Sequence, residues 1–166
     1  MRENELENRI EKTLENNHNV WVVGDIHGYH DSFVKLVSKL NLDDGDLVIS
    51  IGDMIDGGPE SVGVVELFMV NDQFIAILGN HEQMLLDDWN KKSKFEVGML
   101  KSSGFWASKN PVDRNKKLTI VEYLSNLPTE IILQKFRLVH AGYRDFPYSS
   151  SLEDQSDEDR LWSRDI

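Results

Sequence analysis

Apolar residues along this chain fall into short runs whose period alternates. Val20-Trp21-Val22-Val23, Leu47-Val48-Ile49-Ser50-Ile51 and Phe74-Ile75-Ala76-Ile77-Leu78 are near-continuous apolar runs bounded by polar clusters, the pattern of buried strands. Between them the spacing lengthens. Phe33, Leu36, Val37 and Leu40 stand at i, i+3, i+4 and i+7 and predict a helix over 30–41. Val64, Val65, Leu67 and Phe68 predict another over 60–70, and a third is expected over 82–90. Upstream, Leu6, Ile10 and Leu14 recur every fourth residue and predict an amphipathic helix over 3–17, closed by the polar cluster Asn16 to Asn19. Downstream, 91–118 is less regular, 118–127 reads as helical, and two further strands are expected near 130–133 and 136–140. From Asp145 the chain is polar and acidic until Leu161 and Trp162.

The order strand, helix, strand, helix, strand, helix predicts a largely parallel sheet covered by helices, an α/β fold. No internal repeat and no linker interrupts it, so residues 1–166 are read as a single domain. At 40% hydrophobic and 28% charged residues the chain can build a core and keep an ordinary polar surface.

Charge and cysteine content narrow the chemistry. There are 29 acidic against 18 basic residues, a formal charge of −11. Such a surface repels nucleic acid and anionic membranes, so neither is expected as a partner. It also repels phosphorylated substrates unless a local cation reverses the field. The absence of cysteine removes disulfides, thiolate metal ligands and cysteine nucleophiles. The first 17 residues lack the apolar segment of a secretory signal, and a cytoplasmic location is expected.

Each strand runs into a polar cluster: Gly24-Asp25-Ile26-His27-Gly28, then Gly52-Asp53-Met54-Ile55-Asp56-Gly57-Gly58, then Gly79-Asn80-His81-Glu82, and finally His140-Ala141-Gly142. In an α/β sheet these positions meet at the carboxyl ends of the strands, where ligands bind. Taken singly, a Gly-Asp after a strand is usually a turn, and an Asn before a helix is usually a cap. Four such clusters in order are far harder to explain by turns alone. The donors Asp25, His27, Asp53, Asn80 and His140 are oxygen and imidazole groups, a set that suits manganese, iron or zinc better than calcium. A carboxylate such as Asp53 can bridge two cations.

These four blocks resemble the sequence motifs of the phosphoprotein phosphatase family of calcineurin-like metallophosphoesterases. The continuations Glu82-Gln83-Met84-Leu85-Leu86 and Leu161-Trp162-Ser163-Arg164-Asp165 resemble its bacterial and lambda-phage-type serine/threonine branch. The resemblance implies a β-sandwich flanked by helices, in α/β/β/α layers. It implies two divalent metal ions, the first on Asp25, His27 and Asp53, the second on Asp53, Asn80 and His140. It implies a phosphoric monoester hydrolase acting on phosphoserine, phosphothreonine or phosphotyrosine proteins, or small phosphoesters, through a metal-activated hydroxide. His81 matches the family's general acid, Asp56 the carboxylate that orients it, and Arg164 a phosphate-gripping arginine.

Two departures qualify this. The family reads Asp-Arg-Gly where this chain has Asp56-Gly57-Gly58, so one phosphate clamp is absent; Arg144, four residues after His140, is the candidate substitute. The family's last metal-binding histidine, in a Gly-His-Thr block, has no counterpart before Ile166, so the chain reads as truncated, short of the C-terminal strands and with an open sheet edge. Two further readings stand beside the phosphatase: a symmetrical diadenosine tetraphosphate hydrolase, with which Gly58-Pro59-Glu60-Ser61 is compatible, and a non-catalytic metal-binding remnant.

Overall fold

The structure is a computed structural model that describes residues 3–92, 104–144, 151 and 153–163. Its elements in chain order are α1 (Glu3–Glu15), β1 (Val20–Val23), α2 (His30–Leu40), β2 (Leu47–Ser50), α3 (Ser61–Val70), β3 (Phe74–Ala76), α4 (Asn80–Lys92), a 3₁₀ turn (Gly104–Trp106), α5 (Arg114–Ser125), β4 (Glu130–Ile132), β5 (Arg137–Val139) and α6 (Asp157–Trp162).

β1, β2 and β3 form a parallel sheet in that order, with Val20 opposite Leu47 and Val48 opposite Phe74. β4 and β5 form an antiparallel pair with Glu130 opposite Val139. Side chains alternate across a strand, and this divides the core in two. Val48, Phe74 and Ala76 face Phe33 of α2, Val64, Val65 and Phe68 of α3, Leu85 of α4 and Leu124 of α5. Phe33, Phe68 and Phe74 form an aromatic trio with ring centroids 5.4–5.7 Å apart. On the other face Leu47, Ile49, Ile75 and Ile77 pack with Ile131, Leu133 and Leu138 of the β4–β5 pair and with Leu6 and Ile10 of α1. The two sheets thus share the second core and helices cover the outer side of the first sheet, the sandwich and helical cover that the resemblance implies. α1 lies along β4, where the Glu7 and Glu11 carboxylates accept the Ile132 and Gln134 N–H groups at 2.7 and 2.5 Å.

Several expectations need correction. The apolar run predicts a buried β1, yet Trp21 and Val22 are 38% and 49% exposed. Among the described residues β1 pairs with β2 alone, so it is an edge strand. Leu14 and Leu36 fit helical apolar stripes by spacing but are exposed, while Val37 and Leu40 of α2 do pack against the first core. α5 begins at Arg114, four residues before the expected start, because the Asp113 side chain caps it by accepting the Lys116 N–H at 2.8 Å. α6 lies in a stretch whose sequence reads only as polar and acidic. Ser156 and Asp159 close a reciprocal capping box there, and three acidic residues occupy its first turn, where the helix dipole favours them. No helix among the described residues is long and apolar enough to cross a membrane.

Candidate metal centre

The turns after β1, β2, β3 and β5 meet at one rim. The first two are zipped together by the backbone. Ile26 and His27 N–H groups both donate to the Asp53 carbonyl, at 3.0 and 2.8 Å; Gly28 N–H donates to Met54 and Gly58 N–H to the His27 carbonyl, at 2.8 and 2.7 Å. His27, Asp53 and Asp56 all have left-handed backbone, with φ of 47°, 52° and 69°. Non-glycine residues persist there only when their surroundings over-determine them, and such residues cluster at functional sites.

Asp53 sits at the centre and is 4% exposed. One of its oxygens, Oδ1, accepts the His81 N–H at 3.0 Å and lies 3.4 Å from His140 Nε2. The other, Oδ2, lies 3.7 Å from His27 Nε2 and 3.8 Å from His81 Nε2. Asp25 Oδ2 approaches His27 Nε2 to 3.7 Å, and Asn80 Oδ1 approaches His140 Nε2 to 3.0 Å. The donor atoms of His27, Asp53 and His81 lie within 4.8 Å of one another, as do those of Asp25, Asp53 and His140. Asp53 is common to both groups.

The tautomers are set by the outer partners. His140 Nδ1–H donates to the Ile51 carbonyl at 2.8 Å, and His27 Nδ1–H donates to the Ile55 carbonyl at 3.1 Å. A carbonyl can only accept, so in the neutral ring the proton is on Nδ1 and the Nε2 lone pair faces inward. With the rings neutral, the Nε2 lone pairs of His27 and His140 therefore face the Asp53 carboxylate. That is a set of acceptors a cation fits. His81 is held by a carboxylate in place of a carbonyl: its Nδ1–H donates to Asp56 Oδ2 at 3.0 Å, and its ring packs edge-on to His27 with centroids 4.8 Å apart.

These side chains line a cleft of about 290 Å³ whose remaining wall is Ala141, Leu161, Trp162 and Ser163. α6 is held against this wall by the Ala141 N–H, which donates to the Arg160 carbonyl at 2.8 Å, and by an Arg160–Glu130 ion pair of 2.7 Å. Of the residues singled out in sequence, Asp25, His27, Asp53, Asp56, Asn80, His81 and His140 are brought together. Arg144 is turned elsewhere: its Nε is 2.6 Å from Asp159 Oδ1, and it does not line the cleft. Arg164 lies outside the described residues.

Sequence reasoning passes over Glu82. Its side chain is fully buried and accepts four backbone N–H groups, from Asp53, Met54, Ile55 and Gly79, at 2.8–3.1 Å. Burial, aided by the nearby Asp53 charge, pushes its carboxyl above the usual range, while the Asp53, Ile55 and Gly79 N–H groups pull the other way. Glu82 thus pins the turn that carries both the Asp53 carboxylate and the Ile55 carbonyl that orients His27. The available signal is its place in Gly79-Asn80-His81-Glu82, but an acidic residue in a helix's first turn reads simply as a favourable dipole contact.

A two-layered β frame with a helical cover carries oxygen and imidazole donors at its strand ends, the makings of a metal-binding scaffold. The family model described as calcineurin-like phosphoesterase matches residues 18–166, and the chain belongs to that metal-dependent family. It is 33% identical over 152 residues to serine/threonine-protein phosphatase 2 of Salmonella typhimurium, covering 88% of this chain and 68% of that protein. It is 31% identical over 113 residues to the symmetrical bis(5'-nucleosyl)-tetraphosphatase of Buchnera aphidicola, covering 59% of this chain and 41% of that one. In fold it matches a solved protein serine/threonine phosphatase from Saccharomyces cerevisiae, with a TM-score of 0.55 at 18% identity, over 100% of this chain and 56% of that one. The chain therefore spans between about two fifths and two thirds of the length of these proteins.

Proposed function

We propose that this chain is a metal-dependent phosphoric monoester hydrolase that removes phosphate from phosphoserine, phosphothreonine or phosphotyrosine in proteins, with manganese as the metal. The observation that carries this reading is the Asp53 carboxylate, faced by the Nε2 atoms of His140, His27 and His81 at 3.4, 3.7 and 3.8 Å.

In this reading Asp25, His27 and Asp53 hold one divalent ion, and Asp53, Asn80 and His140 hold the second. When bound, such a pair acidifies water and offsets the charge of a phosphoryl group. The protein's own part is to hold these donors fixed and to move a proton. Asp56 accepts His81 Nδ1–H, which aims Nε2 into the cleft, where the doubly protonated ring gives its Nε2 proton to the departing ester oxygen and is left neutral with Nδ1–H on Asp56. Arg164 grips phosphate oxygens, a task for a planar fork of donors. Arg144 as a second clamp requires breaking its contact with Asp159. Gly57 offers no side chain for that role.

The match to the Buchnera protein favours a second reading, hydrolysis of a symmetrical dinucleoside tetraphosphate. The two separate in one experiment. Manganese is titrated into purified protein with 4-nitrophenyl phosphate, metal content being measured in the same sample, and a phosphoserine peptide and diadenosine tetraphosphate are then compared as substrates. Two ions bound with faster turnover of the peptide supports the proposal. Faster turnover of the dinucleotide supports the second reading, and bound metal without turnover of any substrate supports a non-catalytic remnant.

A further inference from the structure

The direction in which His81 presents Nε2 depends on where Asp56 stands, and Asp56 stands on a left-handed backbone with φ of 69°. Something must hold that turn. Ser61, the first residue of α3, is fully buried. A serine at a helix start usually bonds the exposed N–H groups of its own helix. Ser61 does not. Its hydroxyl accepts the Asp56 N–H at 3.0 Å and donates to the Gly104 carbonyl at 2.6 Å, bridging the turn after β2 to the 3₁₀ turn at Gly104–Trp106.

Gly104 closes on the same carboxylate from the other side. A Cβ on Gly104 would stand 2.5 Å from Asp56 Oδ1 and 2.9 Å from Gly57 N. The Asp56 Oδ1 atom so approached accepts the Gly57 N–H at 2.8 Å, which leaves Oδ2 for His81. The turn after β1 joins the same knot, since a Cβ on Gly28 would stand 2.8 Å from Ser61 Oγ. One buried hydroxyl therefore bonds two loops and lies close against a third, and their relative placement sets the Asp56–His81 contact.

We infer that Ser61 is a positioning residue that fixes the Asp56–His81 pair, with the bare backbone of Gly104 as its counterpart. This rests on the reading of His81 as the proton donor. Ser61→Ala leaves the Asp56 N–H without its partner, leaves the Gly104 carbonyl with the Ala107 N–H alone, and lets the carboxylate swing. Gly104→Ala displaces the same carboxylate by overlap. Both act chiefly on protonation of the leaving group, because Glu82 still pins the Met54 and Ile55 N–H groups of the turn whose Ile55 carbonyl orients His27.

The test assays wild type, Ser61→Ala and Gly104→Ala on a phosphoserine peptide, whose leaving oxygen needs a proton, and on 4-nitrophenyl phosphate, whose leaving oxygen does not. Misplacement on the order of 1 Å costs up to about 100-fold, so each variant loses roughly 10- to 100-fold on the peptide and under about threefold on the aryl ester. Bound metal stays at the wild-type level. In a His81→Asn background neither substitution changes the peptide rate further, because the group they position is gone. Equal losses on both esters, or none, overturn the inference. If Ser61→Ala fails to fold, Gly104→Ala carries the same comparison. A crystal structure of whichever variant folds supplies a readout independent of turnover: Asp56 Oδ2 still 3.0 Å from His81 Nδ1 overturns the inference even if wild type proves inactive, whereas inactivity of the metal-loaded wild type counts only against the proposed function.

Discussion

Asp56 Oδ2 lies 3.0 Å from His81 Nδ1 although 25 residues separate the two in sequence. The contact joins the turn after β2 to the first turn of α4 and leaves His81 Nε2 beside Asp53. A ring held in this way can deliver a proton along one line only. If His81 is the general acid, His81→Asn slows hydrolysis of a phosphoserine peptide by roughly 10²–10⁴-fold, the usual range for such catalysis. The loss on 4-nitrophenyl phosphate is far smaller, because its leaving group departs as a stable anion. Steady-state rates on the two esters check this, and equal losses would remove His81 from the role.

Gly57 stands beside this pair with φ of 84°, and a Cβ there would meet His27 Cβ at 3.6 Å, an ordinary contact. Space is available, but the left-handed backbone costs a non-glycine residue about 1–2 kcal/mol. Gly57→Arg therefore has two opposed consequences. It places a guanidinium at the phosphate-binding rim and raises turnover with manganese, by at most about 10²–10³-fold if it recovers one charge-assisted contact of the transition state. It also lowers the melting temperature by a few degrees, since about 1 kcal/mol corresponds to roughly 2–4 °C in a chain of this size. Parallel assays and thermal melts read both. An unchanged rate would show that a missing clamp is not what limits the chain.

Among the described residues, Asp53 is the only carboxylate common to both groups of converging donors. Asp53→Asn is expected to abolish binding of both ions, whereas His140→Asn and His27→Asn each abolish one. Metal analysis after dialysis gives the stoichiometry without any assay of activity. Retention of one ion by Asp53→Asn would mean that the carboxylate does not bridge.

Much of this site is legible in sequence because its parts are local. A strand read from its apolar run must end, and the residues just past each end are the polar clusters themselves: Gly24 to Gly28, Gly52 to Gly58, Gly79 to Glu82, His140 to Gly142. Contacts made across the fold leave no such trace. Glu82 matters because four N–H groups from two separate turns converge on it, and no spacing in its own helix reports that. Ser61 looks like any serine at a helix start. Trp21 and Val22 belong to an apolar run, yet exposure depends on which strands lie beside them. α6 carries a readable capping signal in Ser156 and Asp159, masked by the acidic composition around it. Arg144 is near His140 in sequence, which suggests a place beside the phosphate, but Asp159 holds it instead.

A stability prediction lies far from the cleft. Asp46, 1% exposed, accepts the Asn19 N–H at 2.8 Å, the Asn19 side-chain amide at 3.3 Å and the Asp43 N–H at 3.2 Å, and His18 Nδ1 lies 3.8 Å away. The Asn19 backbone N–H is the main reason its carboxyl is held below its ordinary value of 3.8. A carboxylate whose folded pKa is lowered contributes stability that is fully present above its unfolded pKa and is lost as pH falls through the folded one. Asp46→Asn removes the charge and turns an amide N–H toward one of these donors, so it lowers the urea midpoint at neutral pH. The gap between wild type and Asp46→Asn is present above about pH 5, where a charged His18 adds to it, and narrows below about pH 4, as the wild-type carboxyl gains its proton. Urea unfolding curves of both proteins across that window check the sign. A gap that widened below about pH 4 would mean that Asp46 is not held ionised by the loop it closes.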